Sequence, residues 1–287
     1  MNYEKLDFSH KDQLVASFSK IKVSLSEYSF ANVYLFRKNH QYEVIGGEQI
    51  YLRGRTYDEK IYLMPTVDIG QLDLDHLKNL LSTVDFLFPV PEEWLPYFPE
   101  SEFSHSFNEA DTDYIYTVEK MATFKGRRLS KKRNLLKQFL ELYQPDTFCL
   151  GASRIKDALQ ILDQWQEDIE LPPGETDYQA CLESLQMLEE LDLFGIIYYV
   201  NQEPAGFIIS EDLTDSMLAL HFAKGEKKFK GLYQYMYNTF ANVLSEKYTQ
   251  LNFEQDLGKL ALKIAKSSYI PDVLLKKYRV ALHSTNL

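Results

Sequence analysis

Two carboxylates, Glu254 and Asp256, follow the strand-like run Leu251-Asn252-Phe253 and precede Gly258. Spaced two apart, they share a face as long as the strand pleat continues. There they can hold a substrate ammonium, or one can take a proton from an attacking amine. The alternative is structural: an acid just ahead of a helix over 258–267 caps exposed N–H groups and complements the dipole, a task Asp256 can perform without catalysis. A second candidate is Lys228-Phe229-Lys230-Gly231-Leu232-Tyr233. Gly231 follows a strand and opens a helix, whose unpaired N–H groups favour a phosphate or carboxylate between Lys230 and Tyr233. The glycine can equally do no more than relieve backbone strain. A third set is cationic: Arg127, Lys131, Lys132 and Arg133, with Lys263 and Lys266 on one face of the last helix and Tyr269 where that helix ends. Gathered, they make a positive groove for phosphates; apart, they are a solvated surface pairing with acidic loops. His221, on an alternating strand, reads as a satisfied core histidine. No Ser-His-Asp or Cys-His nucleophile arrangement, zinc spacing or Walker-type loop stands out.

Apolar spacing supplies the elements that position these residues. Leu129, Leu135, Leu136, Phe139 and Leu142 mark a basic helix over 124–143, after the strand-like Tyr114–Val118. Beyond it come a short strand at 147–150, helices marked by Ile155 to Trp165 and by Tyr178 to Leu188, and strands at 193–200, 205–210 and 217–223. Then follow the helix opened by Gly231, the strand 251–253 and the helix 258–267. A strand, two helices, an antiparallel meander, a helix, a strand and a helix make an α/β sandwich. The first half carries strand-like runs at 32–37, 42–46, 48–53, 60–64 and 112–118 and helical stretches at 10–20 and 73–83, a mixed α/β pattern whose topology the spacing does not give.

The 287 residues carry 31 Lys and Arg against 42 Asp and Glu, a net charge of −11. That field repels DNA and anionic membranes as non-specific partners but leaves room for a local basic site. The charge is segregated: seven basic residues and no acid from Ala122 to Gln138, eleven carboxylates and no Lys or Arg from Asp157 to Asp192, and six basic residues against Asp272 from Lys259 to Arg279. No run of 18 apolar residues is present, so no integral membrane segment is expected. The opening MNYEKLDFSHKD lacks a signal-peptide core, which predicts a cytoplasmic protein with Cys149 and Cys181 as buried thiols.

Four stretches carry a resemblance: Ser26-Glu27-Tyr28-Ser29-Phe30-Ala31-Asn32-Val33-Tyr34; Lys125-Gly126-Arg127-Arg128-Leu129-Ser130-Lys131-Lys132-Arg133-Asn134; His221-Phe222-Ala223-Lys224 with Lys230-Gly231-Leu232-Tyr233-Gln234; and Asn252-Phe253-Glu254-Gln255-Asp256-Leu257-Gly258 with Lys266-Ser267-Ser268-Tyr269-Ile270-Pro271. The chain resembles the phosphatidylglycerol lysyltransferase C-terminal-like family in its bacterial soluble form, whose short members have no settled activity. The resemblance implies an α/β fold of two tandem Gcn5-related N-acetyltransferase (GNAT) domains, each a mixed, mostly antiparallel sheet flanked by helices. It sets an N-terminal domain at 1–122, a connecting basic helix at 123–143 and a C-terminal domain with the site at 144–287. Acyl-CoA-dependent relatives of the fold seat the pyrophosphate on a Gln/Arg-x-x-Gly-x-Gly/Ala turn. Here Lys228 replaces the first residue and the bulky Tyr233 stands where a small one is needed, which argues against coenzyme A. The implied reaction is aminoacyl transfer from aminoacyl-tRNA, held by its acceptor end, to an amine or hydroxyl acceptor on a lipid head group, peptide or small molecule. Glu254 is then a base or ammonium anchor, and no resident cofactor is needed. An acyl-CoA-dependent N-acetyltransferase and a non-catalytic binding module remain the alternatives.

Overall fold

The structure, a computed structural model, describes residues 2–47 and 49–283. Along the chain come β1 (Asn2–Lys5), α1 (Lys11–Phe18), α2 (Phe30–Leu35), α3 (Arg37–His40), β2 (Glu43–Gly46), β3 (Tyr51–Arg55), β4 (Ile61–Pro65), α4 (Leu74–Leu81), β5 (Phe86–Val90), β6 (Phe103–Phe107), β7 (Asp113–Thr117) and α5 (Val118–Thr123). Then follow α6 (Ser130–Leu142), β8 (Pro145–Cys149), α7 (Ile155–Ile169), α8 (Tyr178–Gln186), β9 (Phe194–Val200), β10 (Glu203–Thr214), β11 (Met217–Gly225), α9 (Leu232–Val243), β12 (Gln250–Asn252), α10 (Leu260–Ser267), β13 (Val273–Leu275) and β14 (Tyr278–Leu282). The strands form two seven-stranded sheets, ordered β1-β2-β3-β4-β5-β14-β6 and β13-β7-β12-β11-β10-β9-β8. Pairing is mostly antiparallel, with β4·β5 and β11·β12 parallel. Two mixed sheets, each flanked by helices, are the expected architecture. Among the described residues no helix is long and apolar enough to cross a membrane.

The chain forms two compact units. Of the described residues, one holds those up to Asp113, Gln255–Lys263 and those from Leu274 on; the other holds Tyr114–Glu254 and Ile264–Val273. These boundaries differ from a division at 1–122, 123–143 and 144–287, and hydrogen bonding is the reason. β14 lies between β5 and β6, Tyr278 pairing with Val90 and Phe107, so the C-terminal segment completes the first sheet. β7 pairs with β12, Ile115 against Asn252, and belongs to the second. The basic helix α6 is no linker, because fully buried Phe139 anchors it in the second unit's core beside Leu129, Tyr198, Met236 and Phe240.

Two further expectations are corrected. Residues 32–37 read as a strand, but Ser29 caps α2 by accepting from the Asn32 N–H, and all six residues of α2 are buried. A segment buried all round shows neither the strand nor the helix period. Cys181 is buried as expected, but Cys149, on the edge strand β8, is exposed.

The first unit's interior contains a lysine. Lys277 Nζ lies 2.7 Å from Glu27 Oε1, 2.7 Å from Asp113 Oδ1 and 2.8 Å from Gln255 Oε1, with its side chain 0% exposed. Burial opposes the ammonium, yet Asp113 and Glu27 outweigh it and hold Lys277 charged. Burial pushes the Glu27 carboxyl up to about 7, Lys277 pulling it down and Asp113 adding to the rise. Nearby on β14, Arg279 bridges Asp58 and Asp111 at 2.7 and 2.8 Å. These ties fasten the last strand into the sheet.

Candidate active site

In the second unit, β11 and β12 run parallel only from Met217↔Gln250 to Ala219↔Asn252 and then part. Two residues beyond the last pair on each strand stand His221 and Glu254. His221 is the extra residue of a β-bulge: Ile209 pairs with Phe222 and Ser210 with Leu220, so His221 has no partner opposite it. A bulge re-aims the side chain it carries. Here the imidazole spans the splay, with Nδ1 2.8 Å from Glu254 Oε1 and Nε2 2.7 Å from Glu211 Oε1.

Glu254 is aimed by a turn, not by a pleat. The strand ends at Asn252, and Glu254 is left-handed at φ 58°. Fully buried Asn252 accepts the Glu254 N–H through Oδ1 at 2.7 Å, the side-chain turn that makes such a conformation tolerable for a non-glycine residue. The Glu254 carbonyl accepts from the Tyr114 N–H and, at 3.2 Å, from Lys266 Nζ. The imidazole is 0% exposed, while the Glu254 and Glu211 side chains are 13% and 11% exposed, so solvent meets the group at its two carboxylates. Burial disfavours charge on His221, but Glu254 and Glu211 more than compensate, raising its pKa to about 10. At neutral pH an imidazolium sits between the Glu211 and Glu254 side chains.

The other sequence candidates lie as follows. Asp256 falls in the first unit, buried, with Oδ1 accepting the Gly258 N–H at 2.8 Å; this is a turn contact of the capping kind. The pleat that would have set it beside Glu254 stops at Asn252. Lys263 pairs with Glu109 at 3.1 Å, whereas Lys266 reaches the Glu254 carbonyl, so the shared helix face serves two different purposes. Lys132 Nζ lies 3.7 Å from the Tyr269 ring centroid and 2.7 Å from Ser268 Oγ, while the Tyr269 hydroxyl accepts from Gln234 Nε2 at 2.8 Å. Arg133 holds the preceding loop through the carbonyls of Phe124 and, at 2.7 Å, Gly126. Arg127 and Lys131 are exposed, as are Lys125 and Arg128, and among the described residues none of the four has a carboxylate partner. They crowd the start of α6, which has no side-chain cap and no acid in its first turn. The acidic block leaves them alone: Asp177 takes Lys224 at 2.6 and 2.7 Å, Asp163 takes the Tyr178 hydroxyl at 2.6 Å, and Asp157 takes the Tyr199 hydroxyl.

The turn at Gly231 is closely packed. Gly231 has φ +91°, and a Cβ there would lie 2.6 Å from the Leu135 carbonyl oxygen and 3.0 Å from Phe139 Cβ. α6 therefore packs straight onto it. The buried carboxylate of Glu226 stands just ahead, tied at 2.7 Å to Lys228, which also reaches Glu203. Lys230 is exposed beside it, and Tyr233 is drawn back toward the Gly225 carbonyl.

Sequence reasoning set His221 aside and did not single out Glu211 or Asn252. The bulge that frees His221 is a property of strand register, which no local spacing shows. The Asn252–Glu254 turn had a signal, an Asn two residues ahead of the acid at a strand end.

Comparison with known proteins places the chain. The family described as "Phosphatidylglycerol lysyltransferase, C-terminal" matches residues 18–281. An uncharacterized protein of Mycoplasmoides gallisepticum is 26% identical over 220 residues, 74% of this chain and 68% of that protein. Among solved structures, a conserved protein of unknown function from Bacteroides thetaiotaomicron superposes with a TM-score of 0.83 at 24% identity, covering 98% of this chain and 99% of that one. L-PGS from Bacillus licheniformis superposes with a TM-score of 0.63 at 12% identity, covering 99% and 94%. The fold, two mixed, mostly antiparallel sheets each flanked by helices, is consistent with tandem GNAT-like domains. With the match running through nearly all of both units, the chain belongs to the phosphatidylglycerol lysyltransferase C-terminal family.

Proposed function

We propose that the protein is an aminoacyltransferase that takes its aminoacyl group from aminoacyl-tRNA and delivers it to an amine or hydroxyl, on a lipid head group, a peptide or a small molecule. The observation that carries this reading is the cation cluster Lys125, Arg127, Arg128 and Lys131 at the start of α6, a cluster with no carboxylate partner among the described residues. Cations at a helix N-terminus oppose the macrodipole, each costing about 0.3–1 kcal/mol when exposed. A chain of net charge −11 that leaves them without carboxylates there gains by accepting a polyanion. Family membership supports the same class of chemistry. The packed Gly231 turn and the Glu226 carboxylate beside it speak against acyl-CoA as donor.

An aminoacyl ester is already activated. The acceptor nitrogen or oxygen attacks the acyl carbon, the new bond forms, and the tRNA ribose oxygen leaves with the proton the nucleophile loses. The protein has to position the partners and balance charge. In this reading Glu254, held by the imidazolium at the parting of the two strands, anchors an ammonium.

The test is tRNA binding across a salt series. The wild type binds with log K falling linearly in log salt. The triple variant Arg127→Gln, Arg128→Gln, Lys131→Gln lowers that slope by roughly 0.7–0.9 for each phosphate it no longer neutralises. Equal slopes for the two proteins contradict the assignment.

A further inference from the structure

The helix α10 buries none of its side chains. Every residue from Leu260 to Ser267 except half-buried Lys266 is exposed, with Leu260 at 70%, Leu262 at 38% and Ile264 at 61%. A helix of two turns is marginal in water on propensity alone, and packing of an apolar face ordinarily supplies its stability. Hydrogen bonds fasten the C-terminal end of α10: the Tyr116 hydroxyl donates to the Lys266 carbonyl at 2.7 Å, and Lys266 Nζ donates to the Glu254 carbonyl at 3.2 Å. The side chains are nevertheless sorted. Leu260, Ala261, Ile264 and Ala265 fall on one side of the helix, and Lys263 and Lys266, with Lys259 one turn ahead, fall on the other. From Gly258 to Pro271 the chain has three lysines and no acid.

We propose that α10 is an interfacial anchor that lies along an anionic lipid surface, with Leu260 and Ile264 at the acyl boundary and the lysines among the phosphates. A short helix with one aliphatic side and one lysine side is suited to that boundary. Charge selects an anionic partner, and area selects lipid over protein. Eight residues make a helix about 12 Å long. Its apolar side falls far short of the roughly 800 Å² per partner that a stable protein interface buries. Aliphatic side chains entering between lipid head groups need no matching surface. The ion pair of Lys263 with Glu109 leaves both side chains exposed, at 50% and 80%, so it holds the ammonium weakly and yields it to a phosphate. At physiological ionic strength charges beyond about 8 Å are screened, so the net charge of −11 does not cancel the local lysines. The anchor does not depend on aminoacyl transfer.

The experiment co-sediments the full-length protein with phosphatidylcholine vesicles containing phosphatidic acid. That head group offers neither an amine nor an alcohol, so capture of a transfer acceptor is not what is read. The protein is expected to bind these vesicles, more weakly as salt rises, and to leave pure phosphatidylcholine alone. The double variant Leu260→Gln, Ile264→Gln changes exposed side chains only. It is expected to keep the wild-type unfolding midpoint and to lose vesicle binding by about tenfold or more. Three results overturn the proposal: no binding by the wild type, equal binding by the variant, or concentration-dependent self-association that the same substitutions abolish.

Discussion

The first unit buries a lysine between two carboxylates, Lys277 with Glu27 and Asp113; the second buries a histidine between two, His221 with Glu211 and Glu254. The stoichiometry is the same and so is the net charge when every member is ionised. The difference lies in access and in what creates the cation. Lys277 arrives charged, and both its carboxylates are closed off, with side chains 6% and 0% exposed. His221 is charged only because its partners make it so, and one of them, Glu254, stands on a strained turn where two strands part. A closed triad fastens β14 into its sheet. The other, more exposed, stands where β11 and β12 part.

Substituting one member of each triad separates the two roles. Lys277→Met strands two buried carboxylates and is expected to cost about 3–5 kcal/mol in denaturant unfolding. A loss below about 1 kcal/mol would mean that water reaches the group. The pH dependence of stability gives the next contrast. Glu27 has a raised folded pKa, so the folded chain binds more protons than the unfolded one between pH 4.5 and about 7, and this contribution falls as pH rises through that window. His221 is raised from 6.5 to about 10, so its contribution is complete below pH 6.5 and is lost as pH climbs through 10. Glu27→Gln is expected to flatten the lower window alone. Glu254→Gln, which removes one of the charges sustaining the imidazolium, is expected to draw the NMR titration of His221 down from about 10. An unmoved titration would show Glu254 to be no partner in solution.

The smallest effect is expected outside both triads. Arg127→Gln with Arg128→Gln and Lys131→Gln relieves a helix start of opposed charge and should stabilise the protein slightly, by a few tenths of a kcal/mol per residue. A net loss of stability would mean that these side chains have structural partners.

Much of the second unit was legible before any coordinates. Its helices have one apolar face and its meander strands are bounded by Asn-Gln-Glu-Pro and Asp-rich turns, so period and punctuation agree. In the first unit the run around Val33 is buried on every side and shows no period, and Ser29 was the sole local sign of a helix start. The return of β14 to the first sheet was hidden for a different reason: strand partners far apart in sequence leave no mark on local spacing. The candidate site divides along the same line. Glu254 stands out as an acid after a strand, whereas its partners come from a bulge in β11 and from a neighbouring strand, and only register joins them.

Transfer itself tests the central reading most directly: charged tRNAs bearing labelled amino acids, incubated with the protein and with amine, hydroxyl and lipid acceptors. The account predicts that label moves from at least one charged tRNA to an acceptor, and that Glu254→Gln suppresses the transfer while tRNA binding persists. No transfer from any charged tRNA, alongside clear turnover of acetyl-CoA, would contradict it.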